Sequence, residues 1–277
     1  MKLKKSKVIE SVKRALQEDG YKNDLSLKAK NINSKKILKA TLITRQNGIL
    51  SGSSWFEESF KQIDKKAKFK WKIIEGETFK RDDVIAEISA NSNAILSGER
   101  TALNFLQLMS GIATKTNKYS KLLKNCNIEL LDTRKTLPGL RYEQKYSTFV
   151  GGAKNHRFGL YDAIMLKDNH LKAFGGIKKI KNIEFSQRGD FLEIEIEKLS
   201  QIKTALKSKP DILLLDNLNL KEIKKAISLI DSKCLIEVSG IKKPEDIKKY
   251  QNLPIHYVSL GDLTKNIESI DFSLNVS

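Results

Sequence analysis

The short apolar runs that recur in the second half of the chain restrict its fold more than any other feature. Each run has the length of a buried strand, and they lie at residues 128–131, 163–166, 191–196, 212–215, 234–238 and 257–260. Helix patterns separate the later runs, as in QIKTALKSK (201–209) and LKEIKKAISLID (220–231). Strand, helix and strand at this spacing indicate parallel βαβ units. The sequence therefore predicts an α/β fold built on a parallel sheet.

Polar residues follow these runs directly, and Glu195 lies near the end of the third run. Beyond the other runs the chain reads Asp132-Thr133-Arg134-Lys135, Lys167-Asp168-Asn169-His170, Asp216-Asn217, Ser239-Gly240 and Gly261-Asp262. A β/α barrel assembles its active site from the carboxyl ends of successive parallel strands. We therefore predict a barrel enzyme whose site lies at these strand ends.

The first part of the chain has a different rhythm. We expect helices at 1–18 and 55–67, a strand at 37–43, two strands around a turn at 71–90, and a helix from 94 to 123. The tail IDFSLNVS (270–277) alternates apolar and polar residues like a half-buried strand, and it is expected to return to the first sheet. These patterns predict an N-terminal α/β domain at 1–110, joined by a C-terminal strand at 268–277, and a catalytic barrel at 111–267.

The helix predicted at 94–123 has two faces. Ala102, Leu106, Met109 and Ala113 share an apolar stripe. A polar stripe carries Arg100, Asn104, Gln107 and Gly111, and from the residues alone it is consistent with a solvated helix face.

The net charge of +18 raises the question of a nucleic-acid partner. Lysines are scattered among acidic residues, with no aromatic-rich platform or zinc-finger spacing, so we expect a lysine-rich solvated surface that assists an anionic small substrate. No run approaches ~20 uncharged apolar residues, and the N-terminus lacks a signal-peptide core, so we expect a cytoplasmic protein with no membrane partner. Cys126 and Cys234 lack metal-site spacing and are expected to be buried free thiols.

The arginines are few and concentrated. The chain has eight among 51 basic residues, and Arg100, Arg134, Arg141 and Arg157 lie within 58 residues. Arginine supplies a planar fork for carboxylate or phosphate, which lysine does not. In GGAKNHR (151–157), two glycines permit close backbone approach beside three donor side chains. This spacing favours an anion-binding site.

The strand-end residues together describe a cationic pocket for a substrate with several negative charges. Its cations are Arg134, Lys135, His156, Arg157 and Lys167. The carboxylates Glu195 and Asp216 suggest Mg²⁺ bridging a pyrophosphate, or else they pair with Lys167 or Lys135 as barrel salt bridges. The backbone of Gly240 and Gly261 suits a terminal phosphate, although strand-end glycines also serve as simple turns.

Seven blocks of the sequence, in order, closely resemble the motifs of the quinolinate phosphoribosyltransferase family. They are SGERTALNFLQLMSGIAT (97–114), DTRKTLPGLR (132–141), NHRFGLYDAIMLKDNH (155–170), EIEIE (193–197), LLLDN (213–217), EVSG (237–240) and VSLGDLT (258–264). The resemblance implies decarboxylating transfer of phosphoribosyl from phosphoribosyl pyrophosphate to quinolinate, in NAD biosynthesis. It also implies a type II phosphoribosyltransferase fold, with an N-terminal α/β sandwich and an incomplete α/β barrel, paired as a homodimer.

The resemblance assigns roles to individual residues. Arg100 would reach the partner's active site, and Arg134, His156, Arg157 and Lys167 would hold the two carboxylates of quinolinate. Lys135, Glu195 and Asp216 would lie on the side of phosphoribosyl pyrophosphate and Mg²⁺, with Lys135 or Lys167 stabilising the carbanion left by decarboxylation. The 5′-phosphate would lie near Ser239, Gly240 and Gly261. Arg141 receives no definite role.

Three residues depart from the family pattern. Ala153 stands where a third glycine is usual, Ile241 where a glycine or asparagine is expected, and Lys265 where a histidine is common. The alternatives are therefore a nicotinate phosphoribosyltransferase without decarboxylation, the related pyrophosphorylase of molybdate-transport operons, or a catalytically retired homologue. The intact DTRKTLPGLR and NHR blocks favour the diacid, because a monocarboxylate would leave some of the cations unpaired.

Overall fold

A computed structural model describes residues 1–28, 36–182, 185, 187, 189–241 and 243–277 of the chain. The helices are α1 (Lys5–Asp19), α2 (Ser53–Lys61), α3 (Ser92–Leu122), α4 (Arg141–Val150), α5 (Asp168–Ala173), α6 (Ile202–Ala205), α7 (Leu220–Ile230) and α8 (Asp262–Lys265). The strands are β1 (Ile37–Thr44), β2 (Gly48–Ile49), β3 (Lys68–Trp71), β4 (Thr78–Phe79), β5 (Val84–Asn91), β6 (Glu129–Leu131), β7 (Ile164–Leu166), β8 (Leu192–Ile196), β9 (Ile212–Asp216), β10 (Leu235–Ser239), β11 (Tyr257–Ser259) and β12 (Phe272–Val276).

The chain forms two compact units. The first comprises residues 1–117, 137–152 and 263–277, and the second comprises 118–136 and 153–262. This division follows contacts in space and differs from the domain bounds expected from the sequence, which remain a prediction. Within the described residues, no helix combines the length and apolar character needed to cross a bilayer.

The first unit contains an antiparallel sheet with the strand order β12-β1-β5-β3. Leu42 of β1 lies opposite Leu274 of β12, so the C-terminal strand completes this sheet as the alternating tail predicted. Alternate residues of β1 are buried, as expected for a sheet with one face on the core. That core includes Phe56, Phe60 and Leu106. The segment 71–90, expected to form two strands, instead contains the end of β3, the short β4 and β5.

The second unit contains a parallel sheet of six strands in the order β6-β11-β10-β9-β8-β7. All six apolar runs form strands, so the predicted parallel α/β architecture is confirmed. Every residue of β8 is buried, as expected for a parallel sheet covered on both faces. The helix expected at 201–209 is reduced to the four residues of α6 between two 3₁₀ turns, whereas α7 begins at the predicted position behind the Asn219 cap.

Candidate active site

A cavity of about 300 Å³ lies at the carboxyl ends of the strands in the second unit. Its lining residues are Thr133, Arg134, Lys135, His156, Arg157, Met165, Lys167, Leu214, Glu237, Ser239 and Ser259. Six of the eleven residues predicted to form the site are among them. The polar strand ends therefore do converge, although they are spread over more than one hundred residues of sequence.

Strand register explains the convergence. Glu195 of β8 lies opposite Leu214 of β9, which in turn lies opposite Glu237 of β10. One step further along the strands, Asp216 lies opposite Ser239. Residues two apart on a strand share a face, so these side chains lie on the face that lines the cavity. The other face of β8 and β9 carries apolar side chains into the core.

Asp132 ties the His156 segment to the end of β6. This fully buried carboxylate accepts hydrogen bonds from Nδ2 of Asn155 at 2.7 Å and from the amide of His156 at 2.9 Å. Backbone hydrogen bonds join Lys154 to Leu130 and to Asp132. These contacts place the NHR block beside the DTRK block, which precedes it by about 20 residues in sequence.

Two guanidinium groups lie close enough to oppose each other. Burial lowers the pKa of Arg157, and the neighbouring charge of Arg134 lowers it further, while Glu193 acts in the opposite direction. Nη1 of Arg157 donates to the carbonyl of Ala163 at 2.8 Å. Nε of Arg134 is buried and finds no hydrogen-bond acceptor among the described residues. An anion between these groups would relieve both the like-charge repulsion and the unpaired donor.

The His156 ring contacts protein groups through both nitrogens. Nδ1 accepts the amide of Arg157 at 2.8 Å, while Nε2 lies 2.9 Å from Oε2 of Glu193 and 3.5 Å from Oε2 of Glu237. Burial opposes a charge on His156, but the two carboxylates outweigh it and raise its pKa. Burial and the charge of Glu237 raise the pKa of Glu193. Of the predicted carboxylate ligands, His156 is thus the one whose polar atoms are already engaged by the protein.

Glu195 and Asp216 end two neighbouring strands. Glu195 is buried and forms an ion pair with Lys167, which is the salt-bridge alternative left open by the sequence. Asp216 is half-buried and accepts a hydrogen bond from Nδ2 of Asn217 at 2.7 Å. Mg²⁺ is commonly held by one or two carboxylates together with substrate phosphates. Two hard carboxylates on one face of the sheet therefore fit such an ion.

The predicted phosphate glycines lie against site side chains. A Cβ added to Gly261 would meet Cδ of Lys135 at 2.6 Å, so glycine leaves the space that this lysine occupies. Gly240 has φ +86°, and an added Cβ would meet Oδ1 of Asn217 at 2.5 Å. Both positions require glycine for close approach. Neither glycine is among the residues that line the cavity.

Arg100 and Arg141 belong to the first unit. Arg100 is exposed on α3, and Arg141 is the first residue of α4. The predicted polar stripe of α3 is solvated only in part. Asn104 is exposed, but Gly111 lies against the backbone of Glu268, where an added Cβ would be 2.1 Å from a carbonyl oxygen. The lower end of this stripe is therefore a helix-packing surface.

Gly151, expected to admit an anion, instead permits helix packing. An added Cβ at this residue would lie 2.5 Å from the carbonyl oxygen of Ala113 and 2.6 Å from Cβ of Thr116, both on α3. The two cysteines are free, as expected, and each is half-buried.

The sequence prediction omitted several residues of the site. Thr133, Met165, Leu214, Glu237 and Ser259 line the cavity, and Glu193 lies behind it against His156. For the two glutamates a signal was present. Each is a charged residue inside an otherwise apolar strand, and each lies two residues before a strand-end residue that was selected, Glu195 or Ser239.

Comparisons with known proteins agree across the chain. The profile of the quinolinate phosphoribosyl transferase C-terminal domain matches residues 112–275, and that of the N-terminal domain matches residues 23–110. The probable nicotinate-nucleotide pyrophosphorylase (carboxylating) of Bacillus subtilis is 34% identical, over 91% of this chain and 88% of the relative. Quinolinate phosphoribosyltransferase (decarboxylating) 2b of Nicotiana tabacum is 32% identical, over 96% of this chain and 81% of the relative.

Solved structures give the same result. The crystal structure of NadC from Streptococcus pyogenes superposes with a TM-score of 0.93 at 36% identity, covering 100% of this chain and 99% of that one.

Proposed function

This chain belongs to the quinolinate phosphoribosyltransferase family, and we propose that it transfers phosphoribosyl from phosphoribosyl pyrophosphate to quinolinate. Loss of CO₂ from the product then gives nicotinate mononucleotide, with pyrophosphate as the second product, in de novo NAD biosynthesis. The fold is that of the type II phosphoribosyltransferases, an α/β fold with a six-stranded parallel sheet and an N-terminal domain.

One observation carries the substrate assignment. Arg134 and Arg157 lie in one cavity with Lys167, and the two guanidiniums repel each other there. A buried cluster of cations is stable and useful only when an anion neutralises it. A diacid offers two carboxylates to this cluster, whereas a monocarboxylate would leave part of the charge uncompensated. The arrangement therefore favours quinolinate over nicotinate.

We assign the diacid to Arg134, Arg157 and Lys167, which surround the cavity. Arginine forks fix the orientation of a carboxylate as well as its position, and a reactant held in register gains more from positioning than from charge attraction alone. On the other side, Lys135 and Ser239 are assigned to the sugar-phosphate, with the Gly240 and Gly261 backbones near the 5′-phosphate. The closeness of Gly261 to Lys135 supports this placement, because both would meet the same ligand.

In the first step, the pyridine nitrogen of quinolinate forms a bond to C1 of the ribose as the bond to pyrophosphate breaks. In the second, the bond between C2 of the ring and its carboxylate breaks, CO₂ leaves, and the electron pair stays on C2. The ring nitrogen, now positively charged, stabilises this carbanion, and Lys135 or Lys167 stabilises it further before a proton adds at C2.

Glu195 and Asp216 are the residues assigned to Mg²⁺ bound with phosphoribosyl pyrophosphate. The ion would supply neutralisation of the charge on the departing pyrophosphate. Lys167 forms an ion pair with Glu195, so the same carboxylate can hold this lysine in place near the diacid.

The direct test incubates the protein with quinolinate, phosphoribosyl pyrophosphate and Mg²⁺ and measures CO₂ and nicotinate mononucleotide. Both products should appear in equal amounts, and nicotinate in place of quinolinate should give little product. Product from nicotinate without CO₂ would favour the non-decarboxylating alternative. Well-folded protein that forms neither product would refute the proposal and favour a retired homologue.

We propose further that the enzyme is a homodimer in the cytoplasm and that Arg100 reaches the partner's site. Its exposure on α3 leaves the guanidinium available to a second copy. The contrasting proposal, that the charge of +18 serves nucleic acid, predicts strongly salt-dependent DNA or RNA binding. A gel shift at physiological salt separates the two, and a shifted band would count against a purely metabolic role.

A further inference from the structure

We propose that His156, Glu193 and Glu237 form a buried positioning unit that holds Arg157 for the diacid, and that His156 itself touches no substrate atom. This inference rests on the proposed function and changes the role that the sequence analysis gave to His156. Neither glutamate was predicted to belong to the site. The three side chains are at least nine-tenths buried, and their polar atoms converge within 4.8 Å of one another.

The ring of His156 has no nitrogen left for a ligand. The amide of Arg157 donates to Nδ1 at 2.8 Å, so the ring proton belongs on Nε2. Nε2 faces the carboxylate oxygens of Glu193 and Glu237, at 2.9 and 3.5 Å. The carboxylates raise the pKa of His156, but a second proton on Nδ1 would set two hydrogens between the ring and the Arg157 amide. While that amide bond is kept, the ring is held as the Nε2–H tautomer.

The two glutamates need this proton. Both oxygens of Glu193, Oε2 of Glu237 and Nε2 of His156 are buried and form no hydrogen bond of regular geometry within the described residues. Such atoms are costly unless a proton or an ion lies among them. The Nε2–H of His156 points into this group and is the hydrogen that the surrounding contacts supply. The unit therefore explains both the ring orientation and the buried carboxylates.

The unit acts on Arg157 in two ways. Asp132 holds the amide of His156 from one side, and the ring holds the next amide, that of Arg157, from the other. The backbone of this segment is thus fixed by two buried side chains. The charge of Glu193 also opposes the effects of burial and of Arg134 on the Arg157 guanidinium. Arg157 is in this way kept charged and directed at the cavity before any substrate arrives.

The same three atoms could in principle ligate a divalent metal. The surroundings argue against this, because the charges of Arg157 and Lys167 both act on Glu193 and would repel a dication at this place. We therefore choose the positioning unit, and the metal becomes an outcome of the test.

The experiment is nitrogen-15 NMR of the histidine rings in the full-length protein, with and without quinolinate and without phosphoribosyl pyrophosphate. The chain has three histidines, and His156→Gln assigns the relevant signal. We expect Nδ1 of His156 to be unprotonated and to stay so when quinolinate binds. A protonated Nδ1, or one that becomes protonated on binding, would overturn the inference, as would one equivalent of metal lost in His156→Gln.

A kinetic variant gives an independent readout. Glu237→Gln keeps the side-chain size and removes the charge, and the KM for quinolinate should rise about tenfold while the KM for phosphoribosyl pyrophosphate changes by less than about twofold. Glu129→Gln, on a partly exposed glutamate paired with Lys154, is the control and should change neither. An unchanged KM for quinolinate in Glu237→Gln, or an equal rise for both substrates, would contradict positioning of Arg157. Absence of quinolinate binding and turnover in the unaltered enzyme would instead refute the proposed function.

Discussion

Replacing Arg134 by alanine should separate function from stability. The half-buried guanidinium lies near that of Arg157, and its Nε is buried without an acceptor among the described residues. Removing it abolishes a like-charge repulsion and an unsatisfied donor, which offsets the packing that is lost. The free energy of unfolding should therefore change by less than about 1 kcal/mol, and an increase is as acceptable as a decrease.

Activity should respond very differently. A charge-assisted contact to a carboxylate in a buried site contributes at least ~2–3 kcal/mol to transition-state binding. At about 1.36 kcal/mol per factor of ten, kcat/KM for quinolinate should fall by about 30- to 160-fold or more. Nicotinate mononucleotide formation measures the first quantity, and thermal or urea unfolding measures the second.

Arg81→Ala is the matched control. Its side chain is 74% exposed and lies 3.6 Å from Asp82 in the first unit, so its removal should leave both quantities unchanged. Near-normal turnover in Arg134→Ala would refute the assignment of this residue to the diacid. A loss of several kcal/mol of stability would show instead that the guanidinium has a structural partner, and the argument from its unsatisfied donor would fail.

The remaining predictions concern assembly, a close contact and a thiol. Arg100→Ala and Lys135→Ala should each be nearly inactive, and mixing them should restore part of the activity in heterodimers; no recovery despite proven subunit exchange would exclude a shared site. Gly261→Ala should lower kcat/KM with little change in unfolding, because its Cβ would meet Cδ of Lys135 at 2.6 Å and displace a flexible side chain. The same change in a Lys135→Ala background should have no further effect, and a full additional loss would show that Gly261 acts on its own. Burial raises the pKa of Cys234 to about 11, leaving about one thiolate in a thousand at pH 8, so iodoacetamide should modify it slowly in the native protein and quickly in urea; rapid native modification would contradict this.

Local patterns in the sequence were enough to identify most of the elements. All six strands of the parallel sheet and the long helix α3 form where the apolar runs and the helical spacing predicted them. Where the pattern was weak it misled, because α6 ends after four residues and the segment 71–90 contains more than two strands. Burial of an apolar stripe depends mainly on a residue's near neighbours in sequence, so strong periodicity is a reliable guide and short or mixed segments are not.

The glycines show where sequence reasoning stops. The pair 151–152 was interpreted as an anion-binding feature, yet Gly151 serves the packing of α3. Gly111 was assigned to a polar stripe, yet it admits the backbone at Glu268. A glycine indicates that something approaches closely, but only the coordinates of the approaching atoms reveal what it is.

By itself, then, the sequence determined the parallel α/β architecture, the strand ends that carry the site, and, through its motifs, the family. Only the tertiary structure decided which charges oppose or satisfy one another: Arg134 against Arg157, Lys167 with Glu195, and His156 between Glu193 and Glu237. The physical reason is that interactions of buried charges fall off over a few ångströms and depend on direction. Strand register and side-chain orientation set those distances, and neither can be read from the spacing of residues along the chain.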